Sequence, residues 1–244
     1  MSSNCPRPLN GSEAMTPLSQ LMLATAAFVG THFLLSHPFR AALVRRVGET
    51  GFLGLYSLVA AITLGWMVWI AWTMPPLTPH WMAPQWFFDW AAPILMLLAS
   101  ILLVGANIGN PAMPNPNGVT SIVRPATGVF AITRHPMNWA FTIWALTHIA
   151  LSGSPPNLVI AGGILILTFF GSLLQDRKKQ ALLGDAWRGW EARTSFIPFA
   201  AIADGRIPAK AAWPGTIPVL GGLILWLAAS YFHTMLVGIW AWIA

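Results

Sequence analysis

The sequence predicts an all-α, polytopic integral membrane protein: a bundle of about six transmembrane helices plus a cytoplasmic interfacial helix. Three observations predict it. Only 8% of the 244 residues are charged, 56% are hydrophobic, and mean hydropathy is +0.63. An ordinary soluble domain carries about 25% charged residues. This chain cannot clothe a water-facing surface of normal area, which excludes a soluble enzyme, a disordered protein and a coiled coil. Its apolar residues run continuously rather than in alternation, which selects helices over strands in lipid. Finally, 14 Trp stand against 2 Tyr, and Trp favours the membrane–water boundary.

The uncharged intervals mark the spans, each needing about 20 apolar residues. The interval between Glu13 and Arg40 predicts a first helix over 17–36. The interval between Glu49 and Asp89 is broken by Pro75, Pro76 and Pro79. It predicts a second helix over 51–74, then an interfacial loop carrying Trp81, Trp86 and Trp90. A third helix over 90–106 ends in the turn residues Asn107, Ile108, Gly109, Asn110 and Pro111. The uncharged stretch 135–175 is split by Gly153, Pro155, Pro156 and Asn157 into helices over 136–151 and 158–174. The fourth is short as drawn, and extension backwards through 127–134 is one way to lengthen it. The last helix is expected over 216–242. Between the last two, 176–198 reads as an amphipathic surface helix. Leu182, Leu183, Ala186, Trp187 and Trp190 would face lipid, and Arg177, Lys178, Lys179, Asp185, Arg188 and Glu191 the water. Residues 1–14 are expected to be a disordered tail without a removable signal peptide, with Met15 an alternative start. Residues 15–244 form one domain.

Of the 13 Lys and Arg residues, all but Arg7 fall in the loops after helices one, three and five. The positive-inside rule then puts those loops in the cytoplasm and both termini outside, in the inner (plasma) membrane of a bacterium. The charge excess is a topology signal, so nucleic acid is rejected as a partner. Glu49 is placed to neutralise Arg45 or Arg46. One cysteine, Cys5, excludes an internal disulfide and a thiolate metal cluster.

Six histidines are the main chemical inventory. His32 in helix one and His148 in helix four are intramembrane ionisable residues, functional candidates by default. Two readings compete for them: imidazoles bonded to a backbone carbonyl or hydroxyl, or the two axial ligands of a b-type haem. Depth separates the two residues, His32 lying about 6 Å and His148 about 18 Å from the inner helix ends at 1.5 Å per residue. His80 reads as interfacial and His233 as packed within the last helix. Arg134-His135-Pro136 opens helix four: Pro suits the first turn, and the cationic helix start favours an anionic group or anchors the inner interface.

Taken together, these segments resemble the NnrU family. The resemblance rests on His32 with Ser36-His37-Pro38-Phe39-Arg40, on Val44 through Glu49, on Arg134-His135-Pro136 with Trp144 and His148, and on Asp176 through Lys179 with Gly184, Trp187, Trp190 and Pro198-Phe199. It implies a link to nitrite and nitric oxide metabolism, and a relation to the plant zeta-carotene isomerases, b-haem membrane enzymes. It further implies that His32 and His148 are the metal-ligating axial pair of haem b and that His135 belongs to the same motif, the candidate catalytic residue; Arg134, at the cationic helix start, is expected to hold the cofactor through a haem propionate. The activity implied is cis–trans isomerisation of a polyene, a hydrophobic small-molecule substrate. The alternatives are a non-catalytic haem-bearing accessory protein of denitrification and a membrane methyltransferase. Arg134-His135-Pro136 and the segment from Gly184 to Pro198 also resemble the isoprenylcysteine carboxyl methyltransferases, which use S-adenosylmethionine. Asn138, Asp176, Trp187 and Trp190 depart from that family's pattern.

Overall fold

The computed structural model describes residues 15–113 and 124–237; the expected tail, 1–14, and the end of the last helix lie outside them. Helices α1 (Pro17–Ser36), α2 (Arg40–Thr73) and α3 (Ala92–Ala106) come first. A short α4 (Val129–Ile132) precedes α5 (Pro136–Leu151) and α6 (Pro155–Leu183). Then come α7 (Asp185–Arg193), α8 (Ala200–Ala203) and α9 (Thr216–Val237). No strand occurs among the described residues.

Five segments are long and apolar enough to cross a membrane: α1, α2, Phe87–Ala106, α6 and the stretch Thr216–His233 of α9. The sixth, α5, has 16 residues, or about 24 Å, less than the ~30 Å hydrocarbon core. It is sheltered between α3 and α6. The chain is an all-α, multi-pass membrane bundle whose outer faces contact lipid: Ile217 is 73% exposed and Ile224 67%. The helices adjoin one another in the order α2, α1, α6, α5, α3, α9. The three basic loops gather at one end of the bundle: Lys179 near the end of α6 donates to Pro111 O beyond α3 at 3.4 Å, and Lys178 lies within electrostatic reach of Arg40 beyond α1.

Local chemistry explains the boundaries. Thr16 caps α1 by accepting the Ser19 N–H at 3.2 Å, and Pro17 occupies the first turn. Before Pro136, His135 takes φ −119° and ψ 54°, outside the α region, as a residue preceding proline should. Helix α5 does not extend backwards: Thr133 is extended, and α4 ends before it.

Several expectations are corrected. Helix two begins at Arg40, not near residue 51, and bends at Gly48, whose φ of 73° suits a residue without Cβ. That bend brings Glu49 onto Arg40, so Arg45 and Arg46 remain exposed without it. A π-helical turn, Phe87–Ala91, leads into α3. Residues 176–183 are not surface helix but the last two turns of α6, which stops at Gly184 (φ 54°). The remaining amphipathic segment, α7, does not lay its tryptophans in lipid. Trp187 and Trp190 are both fully buried, packed with Ala99 and Leu102 of α3, Phe130 of α4 and Ala140 of α5. Close packing of the two indoles within this cluster holds α7 inward.

Small residues let the helices approach closely. A Cβ on Gly222 of α9 would fall 2.7 Å from Ile101 Cα and 2.8 Å from Ile101 N. Those are backbone atoms of α3, which cannot swing aside. Gly222→Ala should therefore destabilise the bundle by about 1–3 kcal/mol, read as a lowered unfolding temperature in detergent. Gly162→Ala, where nothing lies within 4 Å of the new Cβ, should not. Equal melting of both variants would contradict this packing.

Candidate functional site

Two polar centres lie towards opposite ends of α5. At the basic end, Arg134 donates through Nε and Nη2 to Asp176 Oδ2 of α6 at 2.9 and 2.7 Å, and its Nη2 lies 3.8 Å from Glu191 of α7. His135 has a fully buried side chain whose Nδ1 lies 3.1 Å from Gln175 Oε1. Its Nε2 stands 3.0 Å from Asp176 Oδ1. That is ion-pair distance, but the ring N–H and the carboxylate are not aligned for a hydrogen bond, and neither atom has another partner. The Phe196 ring closes over His135 at 5.6 Å. Around this centre, Arg134 N–H donates to Ser195 O at 2.8 Å, Thr133 Oγ1 to Phe196 O at 2.8 Å, Trp139 Nε1 to the same carbonyl at 2.9 Å, and Asn138 Nδ2 to Ser172 Oγ at 2.7 Å. The polar groups are turned on one another. Farther along this end, His37 is held below the ordinary imidazole range, first by burial and then by the charge of Lys178.

The other centre is a cavity of about 200 Å³ between α3, α5 and α9, partly open at the bundle surface. Met96, Leu103, Phe141, Trp144 and Leu225 make its apolar wall; His148, His233, Ser100 and Ser230 supply the polar side chains, with Trp226 beside them. His148 Nδ1 donates to Trp144 O at 2.8 Å, and the Trp144 ring stacks on the imidazole at 4.2 Å. With Nδ1 bound, Nε2 carries the lone pair, the state in which histidine ligates a metal. Above His148 the chain closes tightly. Asn157 donates to the carbonyls of His148 and Ser152, each at 2.6 Å. Trp81 Nε1 donates to Ile149 O at 3.0 Å, and its ring lies where a Cβ on Gly153 would be, 2.4 Å away.

The expected site residues divide between these places. Arg134 and His135 sit together at the basic end, 13 positions and about 20 Å along α5 from His148. His32 lies on α1, its Nδ1 2.7 Å from Phe28 O and its ring 5.4 Å from Tyr56 of α2. Its Nε2 is also left for a ligand, but His32 is not among the residues that line the cavity. Helix α6 packs between α1 and α5. His233, expected to be packed within the last helix, lines this cavity, with its ring centre 6.3 Å from that of His148. Among the described residues, no group of three or more His, Cys, Asp or Glu side chains could hold a metal ion. The donor set that fits a haem is instead two free imidazole nitrogens, with the macrocycle supplying the rest.

A row of apolar helices with its basic loops at one end and a histidine-bearing apolar cavity towards the other defines a multi-pass membrane protein with an intramembrane site. The chain belongs to the NnrU family, whose model (NnrU protein) matches residues 20–241. Over 80 residues, 33% of the chain, it is 38% identical to a protein of Zea mays named 15-cis-zeta-carotene isomerase, chloroplastic. It is 35% identical over 80 residues to the Arabidopsis thaliana protein of the same name. The match spans only 22% of the length of either relative. No solved structure matches the chain significantly.

The buried charges of the basic end generate a prediction. Asp176→Ala leaves Arg134, at 14% side-chain exposure, with only the longer contact to Glu191 at 3.8 Å, and breaking a buried pair costs up to about 3–5 kcal/mol. Unfolding in detergent should show that loss. Asp185→Ala, whose partner Arg188 is 61% exposed, should change stability by about 1 kcal/mol or less. Similar losses in both would mean that the Arg134–Asp176 pair is not a structural lock.

Proposed function

We propose that the protein is a haem-dependent membrane isomerase that acts on the cis double bond of a polyene. The observation that carries this reading is the cavity: an apolar slot, partly open at the bundle surface, that presents an oriented imidazole, on a chain of the NnrU family with identity to 15-cis-zeta-carotene isomerases. Met96, Leu103, Phe141 and Leu225 would take up part of a hydrocarbon chain and exclude water. Trp144 fixes the His148 ring by stacking and by its carbonyl. His148 would hold haem iron through Nε2, and the iron supplies the reversible ligation or electron exchange that loosens a double bond. No proton need move, so no acid–base pair is required at the cavity. The part proposed for Arg134 and His135 is positional: they hold the start of α5, and so the depth at which His148 stands.

Polarity favours this over a methyltransferase. Arg134 is spent on Asp176 Oδ2 and the His135 side chain is fully buried, so these groups do not open on a cleft that would admit S-adenosylmethionine. A haem-bearing accessory protein of nitrite or nitric oxide metabolism would use the same cavity without turnover. Optical spectra of the detergent-purified protein, oxidised and reduced, should show a b-type haem, and incubation with 15-cis-zeta-carotene should convert it. Haem without conversion would favour the accessory protein; absence of haem after expression with excess haem would end the haem reading.

We also propose that the basic end faces the cytoplasm, following the positive-inside rule. In a Cys5→Ser background, Lys210→Cys should react with an impermeant thiol reagent only in inverted vesicles, and Thr78→Cys only in intact spheroplasts. The reverse pattern would invert the topology.

A further inference from the structure

We propose that Arg40, Lys178 and Lys179 bind the phosphate of an anionic phospholipid, at the basic end of the bundle where the turn between α1 and α2 meets the end of α6. The site lies apart from the cavity between α3, α5 and α9 and uses none of its residues. Arg40 opens α2, where the Gly48 bend brings Glu49 onto it, and its guanidinium carbon lies 5.4 Å from the centre of the Phe52 ring. Lys178 and Lys179 stand in the last two turns of α6, and both interact electrostatically with Arg40 and with Glu49.

The charges here do not balance. Three cations meet one carboxylate, and Arg40 already holds it. The other acidic side chains described at this end are engaged elsewhere: Asp176 and Glu191 with Arg134, Asp185 with Arg188, and Asp204 with Arg206. Lys179 donates to the carbonyls of Pro111 and Met113, at 3.4 and 3.3 Å. Lys178 has no hydrogen bond or ion pair among the described residues. The three cations are half-buried, whereas Arg45, Arg46 and Arg177 are exposed. A preference for basic loops on one side of a membrane accounts for the exposed cations, which water and diffuse ions neutralise. It does not account for like charges drawn together and partly out of water, an arrangement that is unfavourable unless an anion joins it. A phosphodiester suits the place, because its oxygens accept from a guanidinium fork and from ammonium groups alike.

The apolar surroundings point to a lipid as the source of that phosphate. Leu34 and Phe39, on either side of the α1–α2 turn, are 48% and 51% exposed. On α6, Leu174 and Gly171 lie four and seven residues before Lys178 and share its stripe of the helix. Nothing lies within 4 Å of a Cβ built on Gly171. The stripe is open at that point, so an acyl chain has room to descend along it while its phosphate stays at the cations.

Native mass spectrometry of the full chain, titrated in detergent with dioleoylphosphatidylglycerol, should show one lipid held more tightly than the rest. Dioleoylphosphatidylcholine should not replace it. Lys178→Gln should weaken that lipid by about fivefold, the share of one basic residue beside an anionic headgroup, and Lys178→Arg should keep it. Glu49→Gln, which leaves Arg40 free for the phosphate, should strengthen binding, a gain that misfolding cannot produce. Arg45→Gln, which removes an exposed cation, should change it by less than about twofold. Equal weakening by Arg45→Gln and Lys178→Gln, or equal retention of the two lipids, would overturn the site and leave only diffuse attraction between basic loops and headgroups. Displacement of the lipid by millimolar inorganic phosphate would assign the same cations to a soluble phosphate and overturn the lipid as its source.

Discussion

The ion pair between Arg134 and Asp176 is the interaction on which the rest of this bundle depends. In a chain with so few charges, a buried guanidinium and carboxylate must face each other or be left unpaired at high cost. Their pairing sets the start of α5 against the last turns of α6. Glu191 on the outer side of the same guanidinium draws α7 to the same point. With α7 held there, Trp187 and Trp190 have no course but inward, between α3, α4 and α5. The two ion pairs of one guanidinium thus tie α5, α6 and α7 together at the basic end. Hydrophobic burial could not do so alone, because lipid rewards an apolar face as readily as a neighbouring helix does.

The opposite end is ordered differently. There the polar side chains near His148 serve backbone carbonyls. Asn157 and Trp81 bind the exposed carbonyls at the end of α5, and Gly153 gives the Trp81 ring room to lie flat on the turn. In a bilayer the last carbonyls of a helix need such partners, and the Ser152 N–H supplies another to His148 O at 3.1 Å. The cap therefore both ends a helix that is too short to span and holds the His148 turn rigid. On the far side of the cavity, the glycine contacts of α9 on α3 set how closely His233 approaches. The cavity is bounded by a tightly capped helix and a tightly packed one, which keeps it from collapsing.

The arrangement separates two jobs that the sequence places on one helix. Arg134 and His135, although grouped with His148 by motif, lie about 20 Å from it along α5 and act on the bundle's geometry. The chemistry proposed here gathers where charge is absent, among neutral imidazoles, hydroxyls and indoles. An uncharged polyene and an apolar wall are compatible on the same physical ground: neither requires a buried ion.

By itself the sequence determined the all-helical membrane class and the limits of two of its helices. Helix α1 and helix α5 fall at the expected residues, because prolines, glycines and charges mark where a helix meets water, and those marks are local. It also determined that the basic loops share one end, and that the intramembrane histidines are the chemistry to watch. The tertiary structure alone decided which faces meet. A helix apolar all round carries no periodicity to tell lipid from protein, so the row α2, α1, α6, α5, α3, α9 could not be read from hydropathy. For the same reason Trp187 and Trp190 were assigned to lipid and turned out to be core. The Gly48 bend gave Glu49 to Arg40 rather than to its nearer neighbours, since pairing follows backbone direction and not separation along the chain. And His233, which reads in isolation as one more packed side chain, becomes His148's neighbour only once α9 is laid against α3, 85 residues further along the chain than the residue it faces.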